Sequence, residues 1–588
     1  MRRYHAILLG HMGSSLEQKR IGKLLSFFGV SWRDLTVTDF LTEVTGRQLT
    51  SARVFCSAEV FLRLIKDFEG SFDDRDLWKE HVHSVFVHSS DNLAALQELT
   101  RLLTRDQRAA VSKIDAGTVN LAVSNHFDDF CGVMAGMRVA GSAPCVNSAL
   151  IFDSSYENAI NIISASSGAA LLKVRYQNVP VFLSSYNKIV DVDAELTTQN
   201  FDVREHFLSA VPSVLYIKWA FAKTCWSASE INACLIIDDP LLKPTHGFVK
   251  FDCLLSLMKR HGFSTNIAFI PWNWRRSSPE VVRLFKENPQ NYSVSVHGCD
   301  HTRAEFGSLD RQRLYWKAQQ ALERMNRHES ITGIRHDRVM VFPQGIFSEA
   351  AMSALKHTDL VAAVNNDVIC ADPHPRAITV SDVWDIAVMR YSNFPIFTRR
   401  YPWEGIENFA FDALLGKPAI AVIHHDYCGD HCARLVNFIQ RQNALKCRLT
   451  WRSLGEVVRR SCRRRELSPD AVEVEMYGTE LRVENRSEQP KRFLIRRREC
   501  EPSAIREICD GYGPIAWNSV NGYINLEIEL ASGESKIVGI RFHDLAGNGC
   551  NGDNLPYRLK TMLRRYLCEM RDNYITTTKS RLADFVSR

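Results

Sequence analysis

The feature that most constrains the fold of this chain is a repeated alternation of apolar strand patterns with helical patterns between residues 206 and 465. The predicted strands of this region end at Asp239, Pro271, Gly298, Gly345, Asn366, Arg390 and His425. Seven strand–helix repeats predict a closed or nearly closed (β/α) barrel of parallel strands. Catalytic groups of such barrels lie at the carboxyl ends of the strands, so functional side chains are expected directly after them.

The 588-residue chain is too long for one core, and different patterns flank the predicted barrel. Residues 1–205 alternate short apolar runs with helical patterns, which predicts an N-terminal three-layer α/β domain with a parallel sheet. The turn Gly10–Ser15 follows its first strand and could hold an anion. It lacks a complete phosphate-binding fingerprint, so a structural turn is the preferred interpretation.

Beyond residue 465 the patterns change again. Residues 466–550 largely alternate apolar and polar side chains between turn residues, which predicts an antiparallel β-sandwich. Residues 551–588 return to a helical pattern and form a predicted C-terminal helical tail. Its arginines are expected to form a solvated face rather than a membrane or nucleic-acid patch. The basic cluster of Arg459, Arg460 and residues 463–465 is interpreted as an exposed helix end that closes the barrel.

Charge and cysteine content exclude some classes of protein. A net charge of +6 over this length is mild and predicts no nucleic-acid partner. No apolar run approaches the ~18 residues of a transmembrane helix, and the apolar run near the N-terminus is too short for a signal peptide. The 16 cysteines are scattered without a compact disulfide framework, which favours a reducing compartment. We therefore predict a cytoplasmic protein.

Two strand-ending segments carry the chemistry. Asp238 and Asp239 follow a buried apolar run, and residues 297–302 follow another. His297 and His301 are separated by three residues, so one turn can aim both imidazoles at one point. One added carboxylate would complete a three-ligand metal site with open positions for catalysis. The paired aspartates permit one to bind metal while the other takes a proton from water.

In this order, the segments resemble the motifs of the polysaccharide deacetylases, a family of metal-dependent carbohydrate esterases, over about residues 230–430. The resemblance implies that Asp238 is the general base and that Asp239, His297 and His301 bind the metal. It also implies a catalytic-acid histidine at the end of a late strand. His424 and His425 both stand there, and His425, which Asp426 follows, is slightly favoured because only one of the two can face the barrel interior.

The chain departs from the family pattern near a segment of the sequence Val-Phe-Pro-Gln-Gly. Val341 stands where the family has an arginine that orients the base, Gln344 replaces an aromatic residue, and Pro240 replaces a glycine. Another arginine could take over that role if the fold brings it close, and the sequence offers Arg335, Arg338 and Arg390.

The resemblance predicts a metal-dependent hydrolase of carbon–nitrogen (non-peptide) bonds that removes an acetyl group from an N-acetylated or O-acetylated sugar in surface polysaccharide metabolism. Zinc is the expected metal, with cobalt, nickel and iron as alternatives. The expected partners are a carbohydrate, including lipid-linked or nucleotide-activated forms, and biosynthetic proteins. Two other interpretations stay open: a related hydrolase of a non-sugar amide, and a barrel that binds saccharide or a partner without turnover.

Other residues invite weaker hypotheses. A second metal site is one interpretation of His425, Cys428, His431 and Cys432, although the spacing is not a standard zinc pattern. Stacking on a sugar or an ordinary packing role is expected of Trp272 and Trp274. Orientation of the catalytic acid or a plain turn role is expected of Asp382 and Asp385.

Overall fold

The computed structural model describes residues 6–10, 15–47, 49, 51–71, 80–113, 118–142, 148–153, 159–166, 168–545 and 555–576. The chain divides into two compact units: Met1–Ala194 with Asp202–Trp226, and Glu195–Phe201 with Ser227–Arg588. The boundary at residue 205 stays a prediction, and the units of the structure change at residues 194–202 and 226–227. The helix Phe207–Phe221 belongs to the first unit because its Tyr216 ring packs 5.1 Å from Phe55 and 5.2 Å from Phe86.

The described part of the first unit is built on an 11-stranded sheet. Its strands are β1 Ala6–Gly10, β2 Trp32–Thr36, β3 Ala52–Ser57, β4 Val82–His88, β5 Ala110–Ser112, β6 Thr118–Val123, β7 Arg138–Ser142, β8 Ala149–Ile151, β9 Ile160–Ala165, β10 Gly168–Tyr176 and β11 Val179–Ser184. Its helices are Leu16–Phe27, Val37–Thr45, Ala58–Ser71, Leu93–Thr104, Asp128–Cys131 and Phe207–Phe221.

This sheet is mixed. Strands run in the order β2-β1-β3-β4-β11-β10-β9-β6-β7, and the first five are parallel to one another. From β11 onward the pairing is antiparallel, because tight turns such as Gln177-Asn178, both at positive φ, join neighbouring strands. The wholly parallel sheet predicted for this region is thus found only in its first half. Of the turn Gly10–Ser15, residues 11–14 lie outside the described residues.

The second unit contains a barrel of parallel strands. Its strands, with a short hairpin, are β12 Ile231–Asp238, β13 Thr245–His246, β14 Val249–Lys250, β15 Thr265–Phe269, β16 Tyr292–His297, β17 Asp337–Val341, β18 Ala362–Asn365, β19 Ile396–Thr398, β20 Ala419–Ile423 and β21 Leu449–Trp451. The helices between and after them are Phe251–His261, Pro279–Glu287, Arg311–Thr332, Glu349–Lys356, Val380–Trp384, Ile406–Leu415, Ala433–Asn443 and Leu454–Arg460.

The barrel is nearly closed. Its strands run in the order β19-β18-β17-β16-β15-β12-β20, with β21 beside the start of β12. One parallel bridge between Arg400 and Ala421 connects the two ends of this series. Cys234, Ile236, Val341, Ile420 and Val422 share one buried apolar cluster, which places their side of each strand in the barrel core.

One predicted barrel strand is displaced. The run expected to end at Arg390 makes only a single bridge, between Val388 and Ile396, and the parallel strand is Ile396–Thr398. Ser392 and Asn393 have φ angles of 51° and 58°, so the chain turns back before the strand begins. This run was predicted as a strand from its apolar content alone, and the turn that follows it reverses the chain before the observed strand.

After the barrel, two sheets enclose one apolar core that includes Val474, Leu481, Phe493 and Val538. One sheet has the order β22-β23-β25-β28-β27 and the other β24-β29-β26. Their pairing is antiparallel except between β23 and β25, which are parallel. The strands are β22 Arg463–Ser468, β23 Ala471–Met476, β24 Glu480–Glu484, β25 Lys491–Arg498, β26 Ile505–Cys509, β27 Trp517–Val520, β28 Tyr523–Leu530 and β29 Ser535–Phe542.

The C-terminal helix Leu555–Met570 continues into one wider helical turn, Arg571–Thr576. The predicted solvated face of arginines is found only in part, because Arg558 and Arg571 are exposed but apolar side chains are exposed beside them. Arg565 is buried at 7% exposure, whereas Leu559 is 51% and Leu563 60% exposed. In the described part of the chain, no helix is both long and apolar enough to cross a membrane.

Candidate metal centre

The two aspartates lie where β12 leaves the barrel. Asp238 is the last residue of the strand and follows Cys234 and Ile236 on the interior side, with only 3% of its surface exposed. Asp239 comes next, at a φ of 78°. A non-glycine residue in this left-handed region is strained, and such strain is concentrated at functional sites.

Both predicted histidines converge on Asp239. The Nε2 atoms of His297 and His301 lie 3.4 and 3.0 Å from Asp239 Oδ1. His297 is the last residue of β16, and its Nδ1 lies 3.0 Å from the carbonyl oxygen of Val341. Donation by Nδ1–H to that carbonyl leaves the Nε2 lone pair facing Asp239, which is the tautomer that a metal ligand requires.

This cluster fits a divalent metal. One ligand atom from each of the three side chains lies within 4.8 Å of the others. Asp239 Oδ1 is buried without a hydrogen-bond partner, as is Nδ1 of His301. Two imidazoles and one carboxylate form a donor set that suits zinc, cobalt, nickel or iron. The three residues therefore have both the geometry and the chemistry of a metal site.

Electrostatics favour the ionised form of both aspartates. Burial alone raises the pKa of Asp239, but His301 and His297 more than offset this and hold it well below its usual range. Burial likewise raises the pKa of Asp238, and the charge of Arg399, with that of His297, brings it below its ordinary value. Two carboxylates at one strand end thus both stay ionised because Arg399 and the imidazoles of His297 and His301 surround them.

The arginine that orients Asp238 is Arg399. Its two terminal nitrogens each donate to one carboxylate oxygen of Asp238 at 2.8 Å, and its Nε donates to Asn366 Oδ1 at 2.8 Å. Arg338 instead pairs with Glu480, and Arg335 and Arg390 do not contact Asp238. Arg399 directly follows strand β19, and the displaced strand prediction hid that position at a carboxyl end.

A further carboxylate, that of Glu305, stabilises the loop of residues 299–301, which contains the predicted ligand His301. Its two oxygens accept the backbone N–H groups of Cys299, Asp300 and His301 at 2.9, 2.8 and 3.1 Å. Cys299, Asp300 and Glu305 also lie close enough together to hold a cation. Asp300, however, already pairs with Lys317 and with Arg324 at 2.5 Å, so this cluster is an internal salt bridge that fixes the loop.

The paired histidines after β20 have different surroundings. His424 continues the interior side of Ile420 and Val422, and its charge acts on Asp238. The register of β20 accounts for this difference: the strand ends at Ile423, so its alternation carries on to His424, and the chain turns at His425. Which of the two histidines acts as the acid stays a prediction.

His425 is buried on another side of the same site, next to His246, on which the charge of Asp239 acts. Its Nε2 lies 3.6 Å from Asp572 Oδ1, and its ring centroid is 5.8 Å from that of His246. His246 is buried, neither of its ring nitrogens has a hydrogen-bond partner, and burial lowers its pKa to about 4. Asp426, the expected neighbour of His425, is exposed. Asp572 lies far away in sequence, so sequence patterns gave no signal for it.

The contacts of the remaining candidate residues are those of residues that stabilise the fold. The guanidinium group of Arg324 lies 5.0 Å from the ring centroid of Trp272, and that of Arg275 lies 4.2 Å from the ring centroid of Trp274. Asp382 completes a capping box with Thr379, and Asp385 lies 3.2 Å from Arg463. In the described part of the chain, the groups that could hold a metal do not include His425, Cys428, His431 and Cys432.

The basic cluster is neutralised rather than exposed. Arg459 pairs with Glu480 at 2.6 Å, Arg460 with Glu456 at 3.1 Å, and Arg465 with Glu473 at 2.6 Å. Arg459 and Arg460 end the helix Leu454–Arg460, whereas residues 463–465 belong to strand β22, Arg463–Ser468. Only part of the cluster therefore lies at a helix end, as predicted for all of it.

The C-terminal helix lies across the loops that follow the barrel strands, which we call the mouth of the barrel. Glu569 pairs with Lys243 and Arg276. Asn573 Oδ1 accepts the backbone N–H of Gly247 at 2.7 Å, and the Tyr557 hydroxyl donates to Asp300 at 2.7 Å. The loops after β12, β15, β16 and β20 are thus all contacted by one helical segment.

No family model matches this chain, and no characterised protein sequence matches it significantly. Solved structures similar to part of it include the peptidoglycan deacetylase PdaC from Bacillus subtilis, with 14% identity and a TM-score of 0.23 over 39% of this chain and 90% of that chain. A family 4 carbohydrate esterase from Streptomyces lividans, in complex with acetate, has 14% identity and a TM-score of 0.22 over 37% and 87%.

A family 4 acetyl xylan esterase from Clostridium thermocellum, in complex with a cobalt ion, has 10% identity and a TM-score of 0.24 over 38% of this chain and 89% of that chain. Polysaccharide-type deacetylases, the family that the sequence motifs resemble, are thus among the solved structures similar to part of this chain.

Proposed function

We propose that this chain is a metal-dependent hydrolase that removes an acetyl group from an N-acetylated or O-acetylated sugar in surface polysaccharide metabolism. The observation that carries the proposal is the convergence of Asp239, His297 and His301, beside the separate buried pair of Asp238 and Arg399. A ligand triad next to an ionised carboxylate is the minimal equipment for hydrolysis by an activated water.

The residues divide the chemistry among themselves. Asp239, His297 and His301 would hold the metal, which when bound supplies Lewis-acid polarisation of the substrate carbonyl and lowers the pKa of water. Asp238 accepts the proton of the attacking water at its carboxylate. Arg399 binds both oxygens of Asp238, which fixes the direction of the carboxylate and keeps it ionised.

His424 is the residue that we assign as the acid that protonates the leaving amine or alcohol. It continues the interior side of β20 and acts electrostatically on Asp238. His425 remains the alternative acid, with Asp572 as its partner. The substrate class that we propose includes lipid-linked and nucleotide-activated acetylated sugars.

The first test is the metal content of the purified protein, measured by elemental analysis for wild type, His297→Ala and His374→Ala. His374 is exposed and serves as the control. We expect about one transition-metal ion per chain in wild type and in the control, and a loss in His297→Ala with an unchanged circular dichroism spectrum. Wild-type protein that takes up no metal after addition of zinc or cobalt would contradict the proposal.

The second test is acetate release from N-acetylglucosamine oligomers by the metal-loaded protein. Asp238→Asn is expected to keep its metal and lose at least about 100-fold in rate, because the proton acceptor is removed. His424→Ala should lose more activity than His425→Ala. A metal-loaded protein that releases no acetate from acetylated sugars of any tested class would favour a binding barrel without turnover.

A further inference from the structure

The outer face of the C-terminal helix is unusual for a helix that packs on a folded unit. Seven large apolar side chains of the helix are exposed: Leu555, Leu559, Met562, Leu563, Tyr566, Leu567 and Met570. At ~100° per residue they occupy one arc of about 140°, which we call the outer stripe. Surface helices normally turn such an arc toward the core. Single exposed apolar residues are ordinary, but a continuous stripe marks an interaction surface.

Polar contacts hold the helix in this orientation. Glu569 pairs with Lys243 and Arg276, and Tyr557 donates to Asp300 at 2.7 Å. Asp572 lies 3.6 Å from His425. Both acidic residues of the segment 555–576, Glu569 and Asp572, therefore point toward the barrel, and the outer stripe is left facing away from it.

The charges around the outer stripe have one sign. Of the charged side chains in the segment 555–576, Arg558, Lys560 and Arg571 are exposed, and Arg571 pairs with Asp572 at 2.7 Å. With the acidic residues turned inward, the outward surface combines an apolar arc with flanking cations. The Tyr566 ring, which is 50% exposed, also lies 4.4 Å from the guanidinium of Arg276 in the barrel. This composition is typical of a helix that lies in the interface of an anionic bilayer.

We propose that the outer stripe docks the mouth of the barrel onto an anionic lipid bilayer, with the apolar side chains entering the headgroup boundary and Arg558 and Lys560 binding lipid phosphates. A second copy of the chain is a poorer occupant, because a symmetric contact of two such helices would bring like charges together. Since the inner face of the same helix contacts the loops beside the metal ligands, docking places the candidate metal centre at the bilayer surface. The proposal does not depend on the proposed hydrolysis.

The test is cosedimentation of the full chain with vesicles of phosphatidylcholine mixed with phosphatidylglycerol, and with vesicles of phosphatidylcholine alone. We expect most wild-type protein to pellet with the anionic vesicles and at least about tenfold less with the neutral ones. The triple variant Leu559→Gln, Leu563→Gln, Leu567→Gln should lose binding, and so should Lys560→Glu combined with Arg558→Glu. The matched control is Ile331→Gln with Leu467→Gln, two exposed apolar residues elsewhere, at 65% and 51%.

Folding of the variants is verified by their thermal midpoint, which should not change because the substituted side chains are exposed. Wild type that stays in the supernatant with both kinds of vesicle would overturn the proposal. Equal binding to neutral and anionic vesicles would also overturn it. A wild-type dimer in size-exclusion chromatography that the triple variant converts to monomer would identify a second copy as the occupant instead.

Discussion

At the scale of single residues, the pair formed by Asp238 and Arg399 is the most demanding arrangement in the barrel. Their side chains are only 4% and 3% exposed, and the pair is fixed by two parallel hydrogen bonds of 2.8 Å. Two opposite charges in a buried site compensate one another only while both are present. The pair therefore acts as one unit in both stability and orientation.

We expect Arg399→Met to lower the free energy of unfolding by about 3–5 kcal/mol, because it leaves an uncompensated buried carboxylate. Combining it with Asp238→Asn should recover a large part of this loss. Urea unfolding of the two single variants and the double variant measures the coupling, and Arg335→Met, an exposed arginine, is the control. Losses that simply add would show that the pair is not coupled.

A second residue-scale prediction concerns His328, which is fully buried with its Nε2 2.8 Å from Ser277 Oγ. Burial, with the nearby His336, lowers its pKa to about 4, below the ~6.5 of an unfolded histidine. The unfolded chain therefore gains the proton first as pH falls. The stability contributed by neutral His328 is complete above about pH 6.5 and is lost toward about pH 4.

We expect His328→Gln to reduce the acid sensitivity of the protein. Between about pH 7 and about pH 5, the wild type should lose roughly 2 kcal/mol more unfolding free energy than the variant. Urea unfolding at the two pH values measures this difference. His374→Gln, at an exposed position, should retain the full wild-type loss, and an equal loss in all three proteins would contradict the pKa shift.

At the scale of elements, the hairpin of β13 and β14 and the C-terminal helix meet at Gly247. Its φ is +56°, its N–H donates to Asn573 at 2.7 Å, and a Cβ there would lie 2.4 Å from His425 Nδ1. Glycine is therefore required at this position for two reasons: the backbone is left-handed, and the imidazole of His425 approaches closely. It fixes the position of His425 through space rather than through the chain.

Gly247→Ala and Gly262→Ala separate these two requirements. Gly262 ends the helix Phe251–His261 at a φ of +65°, and no atom lies within 4 Å of the point that an alanine Cβ would occupy. Alanine at this position should therefore cost about 1–2 kcal/mol for the backbone alone. Gly247→Ala should cost at least about 1 kcal/mol more, because His425 must move. Urea unfolding measures the free-energy cost of each substitution. Equal costs would mean that the His425 ring moves aside without a measurable energetic cost.

At the scale of the whole molecule, the barrel and the two-sheet region of the second unit are connected by buried charges. Glu499 is fully buried and accepts from Lys356 of the barrel at 2.7 Å and from Arg497 at 3.2 Å. Arg497 also donates to the carbonyl oxygen of Asn393 at 2.7 Å. The two regions are therefore expected to unfold together, because separating them would leave these buried charges without their partners.

We expect Glu499→Gln to lower the unfolding free energy by about 3 kcal/mol, because two buried cations lose their counter-charge. The control is Glu501→Gln, whose side chain is 69% exposed and should change stability by less than about 0.5 kcal/mol. Far-UV circular dichroism and tryptophan fluorescence should report one common midpoint. Two separate midpoints in the wild type would contradict cooperative unfolding.

The local sequence determined the elements that carry the candidate site. Runs of apolar residues followed by Asp238-Asp239 and by His297–Thr302 predicted two strand ends with polar chemistry, and both segments do follow barrel strands. Such patterns are readable because a strand buries residues with a period of two and ends where polar residues begin. The catalytic and metal-binding roles of these residues remain predictions.

Tertiary structure alone decided which side chains meet. Arg399 and Asp572 join the site from distant segments, Glu305 folds back onto the loop of His301, and the side on which His424 lies follows from the register of β20. The apolar stripe of the C-terminal helix is exposed although such stripes are usually buried, because Thr561, Arg565 and Asp572 of the other face are buried instead and Glu569 pairs with Lys243 and Arg276. Periodicity marks two faces of a helix, and only the partner surface determines which of them is buried.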